Sequence, residues 1–146
     1  MAGITAAVSR VQTVVSALTG MRDAPARASQ SQAATPYAVV YPGPSEWDGG
    51  PSQSYRNLGA LHVDVYLSAA ELGITEAAYW LEQFIEALPK ALMADGSNGW
   101  TLTSTVTALG HNGPAISYQG MGTADNQGVT YYLARWLVNY KLDVAV

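Results

Sequence analysis

At 146 residues the chain has room for one domain and not for two ordinary ones, and a chain of that length buries about 68–70% of its unfolded surface on folding. The absence of cysteine excludes disulfide scaffolds, thiolate metal sites and cysteine nucleophiles. Seven Lys+Arg against eleven Asp+Glu give a net charge of −4 and no basic footprint for nucleic acid; no apolar run approaches the roughly 20 residues of a membrane-spanning helix.

The first predicted element is a helix over Ile4–Leu18, with Ile4, Ala7, Val8, Val11, Val15 and Leu18 on one stripe, Thr5, Ser9, Gln12, Thr13 and Ser16 facing away, and Gly20 as its stop. A signal peptide is the competing idea; it fails for want of a basic n-region and because Arg10 and Gln12 interrupt the apolar stretch. Residues 21–35 have no periodicity and read as a loop. Tyr37–Tyr41 reads as a short buried strand between Pro36 and Pro42. Residues 42–54 are too rich in Pro and Gly for regular structure, yet hold Trp47, which on a loop tip must fold back or dock on a partner.

Tyr55–Leu67 is the clearest strand: Leu61, Val63, Val65 and Leu67 point one way, Ala60, His62, Asp64 and Tyr66 the other. A second helix follows from Ile74 to Leu88, with Ile74, Ala78, Leu81, Ile85 and Leu88 on a stripe widened by Ala77 and Phe84. Pro89 stops or kinks it, leaving Lys90–Met93 as a last turn. Tyr79 and Trp80 cannot both face the core. Trp100–Leu109 alternates, with Thr101, Thr103, Thr105 and Thr107 on one face, and after a turn around His111 the chain returns along Ala115–Met121 as its partner strand. Gly122–Gly128 reads as a loop. Val129–Val144 is the longest strand, placing Tyr132, Ala134, Trp136, Val138, Tyr140 and Leu142 on one face and Arg135, Asn139, Lys141 and Asp143 opposite. At about 3.3 Å per residue it reaches roughly 50 Å, so a bulge near Leu133–Arg135 is expected. The sum is a single α+β domain, order α-β-β-α-β-β-β, in which two helices cover one face of a mostly antiparallel five-stranded sheet.

Charged residues make up 12% of the chain, against about 25% in ordinary soluble domains. One account is a neutral, soluble monomer. The other is a subunit whose surface is occupied by neighbours, since interface centres are poor in charge and rich in aromatics.

Catalytic patterns are missing. There is no phosphate-binding loop and no nucleophile elbow, and Asp125 stands where the third glycine of a dinucleotide fingerprint would be in Gly120-Met121-Gly122-Thr123-Ala124-Asp125. His62 and Asp64 share a strand face and could do acid–base work, but a polar sheet face explains them as well. Glu46 and Asp48 flank Trp47 on a segment too loose to hold a catalytic carboxylate pair. No enzyme activity, cofactor or metal is expected.

Several segments, in order, resemble the tail terminator (tail completion) proteins of long-tailed phages: the helix Ile4–Leu18, Ala24-Pro25, Pro36-Tyr37-Ala38-Val39-Val40-Tyr41-Pro42-Gly43, the strand Leu61–Leu67, Ala87-Leu88-Pro89-Lys90-Ala91-Leu92, Leu102–Val106, Ile116–Gly122 and the closing Asn139–Val144. The resemblance implies a homo-oligomeric ring, six-fold in that family, seated on the last ring of tail-tube subunits. It would end tube polymerisation and offer its other face to the head connector or stopper protein, in the virion tail. Membrane contact and specific nucleic-acid binding are not implied, though DNA may pass the lumen; the family carries no catalytic residues. Loops 22–35 and 42–54, with Glu46, Trp47 and Asp48, are the expected axial docking elements. Arg56, His62, Asp64, Tyr66, the threonine row Thr101–Thr107 and Arg135 are the expected subunit or lumen contacts. The alternatives are another neck or head–tail connector ring protein, a carbohydrate-binding module stacking sugars on Trp47, Trp80 and Tyr66, and a small hydrolase using His62 and Asp64.

Overall fold

The structure, a computed structural model, describes residues 4–22, 35–49, 54–95, 106–107, 115–126 and 128–145. Its elements are α1 (Ile4–Ser16), β1 (Tyr37–Gly49), β2 (Ser54–Ala69), a 3-10 turn (Ala70–Leu72), α2 (Ile74–Asp95), β3 (Val106–Thr107), β4 (Ile116–Asn126) and β5 (Val129–Ala145). The α+β class is as expected. The sheet is antiparallel and open, with four full strands in the order β1-β2-β5-β4, not five. Of the strand expected over Trp100–Leu109 only β3 is described, two residues paired with Leu142 and Lys141 of β5.

Both helices lie on one face. Alternation puts Ala38 and Val40 of β1, Leu61, Val63, Val65 and Leu67 of β2, and Ala134, Trp136 and Val138 of β5 beneath Ala7, Val11 and Val15 of α1 and Ala77, Phe84, Leu88 and Leu92 of α2, all buried. Gln12 departs from expectation. It does not face away: its Nε2 donates to the Ala38 carbonyl (2.8 Å) and its Oε1 accepts from the Val40 N–H (2.9 Å), so the side chain acts as a short strand on the free edge of β1. Just upstream Arg22 N–H donates to the Pro36 carbonyl at 2.8 Å, and Arg22 bridges to Tyr37. An edge strand left bare is open to foreign pairing; here its first half is sealed from within.

In α2 the buried stripe is rotated from the expected one. Ala77, Phe84, Leu88 and Leu92 are covered, whereas Ile74 and Ile85 are exposed, because the sheet accepts only the centre of a wide apolar arc. The helix also runs through Pro89 to Asp95 instead of ending there. The missing Pro89 N–H would have served the carbonyl of Ile85, an exposed residue, so the loss falls away from the core. Of the aromatic pair, Trp80 is the inward member. It stacks on Phe84 with ring centroids 5.9 Å apart and lies over Gly20, where a Cβ would come within 2.5 Å of its Cζ3; Tyr79 is exposed.

Three strand expectations are corrected. From Pro42 the chain is not a loop: β1 continues to Gly49, pairing Trp47 with Asn57 and Asp48 with Arg56. Pro can lie on an edge strand because its missing N–H need not face a ladder, and a register shift between Pro42 and Ser45 takes up Gly43 and Pro44. The expected bulge in β5 belongs to its partners. Leu67 is the extra residue of β2 and Gln119 that of β4, both opposite Tyr132–Trp136, while β5 runs continuously through them. Finally, β4 pairs with β5 and extends through Gly122–Asn126, where a loop is expected, before a tight turn at Gly128 with φ +83°. Residues 23–34, 50–53, 96–105 and 108–114 lie outside the described residues, and with them most of the loop 21–35, His111, and Thr101, Thr103 and Thr105 of the threonine row.

Candidate interaction surface

Among the described residues no helix packs on the second face of the sheet. Across it run cross-strand rows: Tyr37, Tyr66 and Leu133; Val39, Asp64 and Arg135; Tyr41, His62 and Leu137. The middle row holds its charge tightly. Arg135 Nε donates to Asp64 Oδ1 at 2.7 Å and Nη2 to Asp64 Oδ2 at 3.1 Å, a bidentate pair, while Nη2 also donates to the Tyr41 hydroxyl at 3.0 Å. Tyr41 in turn donates to Asp64 Oδ2 at 2.5 Å. Asp64 is buried, but Arg135 keeps 39% of its side chain in solvent. Burial, and then the hydrogen bond to the carboxylate, push the Tyr41 hydroxyl up to about 12; the bond to Asp64 also raises Arg135 above its ordinary value.

At one end of this face the sheet curls over a tyrosine cluster. Tyr37 stacks on Tyr66 at 4.8 Å, Tyr131 meets both edge-on, and Asn126 at the end of β4 reaches across to the Tyr37 hydroxyl at 3.5 Å. β1 and β4 are opposite margins of the sheet, so a contact between them requires this face to be concave. Tyr37 is fully buried, and desolvation drives its hydroxyl up to about 12. Between the margins lies a cleft of about 500 Å³. Asp64, Tyr66, Leu133 and Arg135 form its floor, Tyr41 one wall, and Gln119–Ala124 of β4 the other. At Gly120 and Gly122 that wall has no side chains, and nothing lies within 4 Å of where a Cβ would sit.

The expected contact residues divide. His62, Asp64, Tyr66 and Arg135 do share the helix-free face, and Arg56 lies further along it, between Asp48 of β1 and Asp143 of β5 in the register. They do not form a catalytic pair: Asp64 gives both oxygens to Arg135 and Tyr41, whereas His62 is wedged against Gly43 with its buried Nδ1 unpartnered. Trp47 is not on a loop but on the edge strand β1 beyond the bulge, where β2 is paired with β1 on one side and β5 on the other. Its partner Asn57 donates to the Glu46 carbonyl at 3.2 Å and accepts from the Tyr140 hydroxyl at 2.6 Å, and Trp47 is 60% exposed. Trp47 shares the helix-side face with Asn57, while Glu46 alternates to the other, and Asp48 pairs with Arg56 in the register. Thr107 pairs with Lys141 on β3.

The sugar-stacking platform does not form. Trp80 is on α2, Tyr66 on the opposite side of the sheet, and Trp47 on the edge strand β1 beyond the bulge. Among the described residues no group of three or more His, Asp or Glu could hold a metal ion, and no helix is long and apolar enough to cross a membrane. Sequence reasoning overlooked Tyr37, Tyr41 and Tyr131. The signal for the first two was period-2 spacing around Val39, which puts both on the Asp64 face. The chain matches no protein-family model, and no curated protein is significantly similar to it.

Proposed function

We propose that this chain is the subunit of a ring, six copies by resemblance, that caps the tail tube of a long-tailed phage. The ring would end tube polymerisation and offer its other face to the head connector or stopper protein. The observation that carries this reading is the asymmetry of the sheet. One face is covered by two helices; on the other, among the described residues, no helix packs and the surface is concave, while the exposed Trp47 stands on the helix side of the β1 edge, beyond the bulge. A ring subunit needs two different side surfaces that meet under rotation, and a concave face and an edge strand with an exposed tryptophan are such a pair. The virion tail is then the protein's location, reached from assembly in the host cytoplasm.

The test is to add the purified protein to polymerising tail-tube subunits and image the products by negative stain. Rings on tube ends and an early halt to growth are expected. Tubes that lengthen as they do without the protein, with bare ends, would refute the reading.

A further inference from the structure

We propose that the cleft on the helix-free face receives Trp47 of a second copy of this chain, so that subunits join head to tail. This rests on the reading of the protein as a ring subunit and names the residues that join its copies. Trp47 leaves 60% of its surface in water, on a strand whose backbone is paired with Asn57, itself bonded to the Glu46 carbonyl and the Tyr140 hydroxyl. The backbone beneath the indole therefore has little ordering entropy to lose on docking. The cleft, about 500 Å³, falls within the range of formed binding sites, roughly 300–1,000 Å³.

Its floor suits a flat aromatic ring. Three N–H bonds of Arg135 are directed at Asp64 and Tyr41, which fixes the guanidinium; its Nη1 edge and its planar face are left over. Such a held guanidinium is a partner for an indole π-face. Tyr66 and Leu133 add aromatic and apolar surface, and the bare backbone at Gly120 and Gly122 leaves the entrance open. Trp, Tyr and Arg are also the residues in which binding energy concentrates at interfaces.

The occupant cannot be the chain's own tryptophan. Trp47 is on the helix-side face of the sheet and the cleft on the other, and from Tyr41 to Trp47 the strand runs on by roughly 20 Å. A contact between two different surfaces of identical subunits is heterologous, and it closes into a ring when the rotation permits.

The experiment is sedimentation velocity on the full chain over a concentration series, with Trp47→Ala and Gly122→Phe, each checked for native circular dichroism. Gly122 has open space and no left-handed backbone, so a phenylalanine there obstructs the cleft while leaving the Asp64–Arg135 pair intact. Wild type is expected to associate, and each variant alone to lose every species above monomer. An equimolar mixture is expected to give dimers and nothing larger, since the intact cleft of Trp47→Ala takes the intact tryptophan of Gly122→Phe and both remaining ends are dead. Wild type that stays monomeric throughout overturns the docking. So do variants that assemble like wild type, or a Trp47→Ala protein that forms rings but fails at head–tail joining, which would give the tryptophan to an axial partner. In the last two cases the ring reading survives; it is judged separately on tube ends.

Discussion

Asp64 is the residue on which the helix-free face turns. A carboxylate taken out of water costs several kcal/mol unless paired and hydrogen-bonded, and Asp64 accepts two hydrogen bonds from Arg135 and one from Tyr41. Because Arg135 stays partly in solvent, Asp64→Ala should lower stability by about 2 kcal/mol, below the 3–5 of a fully buried pair broken on one side; urea denaturation measures it. The tyrosines of the same face set a limit at high pH. Tyr37 and Tyr41 ionise near 10 in the unfolded chain but at about 12 in the fold. The folded state therefore holds their protons more tightly, so their stabilisation is complete below pH 10 and is lost as pH climbs to about 12. Unfolding free energy should fall across that window by up to about 1.4 kcal/mol per pH unit for each. Denaturation series at successive pH values, together with phenolate absorbance, should show the loss, and Tyr41→Phe should make it shallower.

Among the elements, α1 is tied to the sheet by more than its apolar stripe. Replacing Gln12 with Ala strands the Ala38 carbonyl and the Val40 N–H on the edge of β1. An unsatisfied buried group costs about 1–3 kcal/mol, so a loss in that range is expected, along with faster hydrogen exchange at the Val40 amide. Unchanged exchange there would mean that the edge is protected by something else. The end of α1 depends on Gly20, whose φ of +90° suits glycine and whose missing Cβ makes room for Trp80. Gly20→Ala brings both a backbone penalty and a clash, and should destabilise by at least about 1 kcal/mol; a thermal shift would register it. The rotated stripe of α2 and its passage through Pro89 belong to this scale too. Periodicity located the helix, but which part of a wide apolar arc meets the sheet depends on the sheet.

For the whole molecule, the two sides of the sheet behave as different solvents. The helix side is a conventional core; the other is concave, with tyrosines around the Asp64–Arg135 pair at one end and Arg56 further along. Cross-strand alternation made that division legible in β2 and β5, where inward and outward residues follow from period-2 spacing over long runs. It was less legible in β1. There Pro42, Gly43 and Pro44 carry the local signature of a loop, and only pairing with the long β2 strand draws them into the sheet. Of the candidate site, His62, Asp64, Tyr66 and Arg135 were readable as one surface, while Tyr41 and the glycine-walled cleft were not, because their neighbours lie on strands far apart in sequence. If the face is an assembly surface, wild-type protein should gain protection from hydrogen exchange on assembly along Gln119–Ala124 and Glu46–Asp48 while α2 stays unchanged.

What the amino-acid order determined by itself is the class: two amphipathic helices, long alternating strands and a surface poor in charge, because period and composition are local quantities. What the tertiary structure decided is where those surfaces meet. The strand in place of a loop, the bulges on β2 and β4, the clamp of Gln12 on β1 and the Tyr41–Asp64–Arg135 knot all arise from contacts between residues 23 to 94 positions apart, or from register between whole strands, and no local pattern encodes such distances.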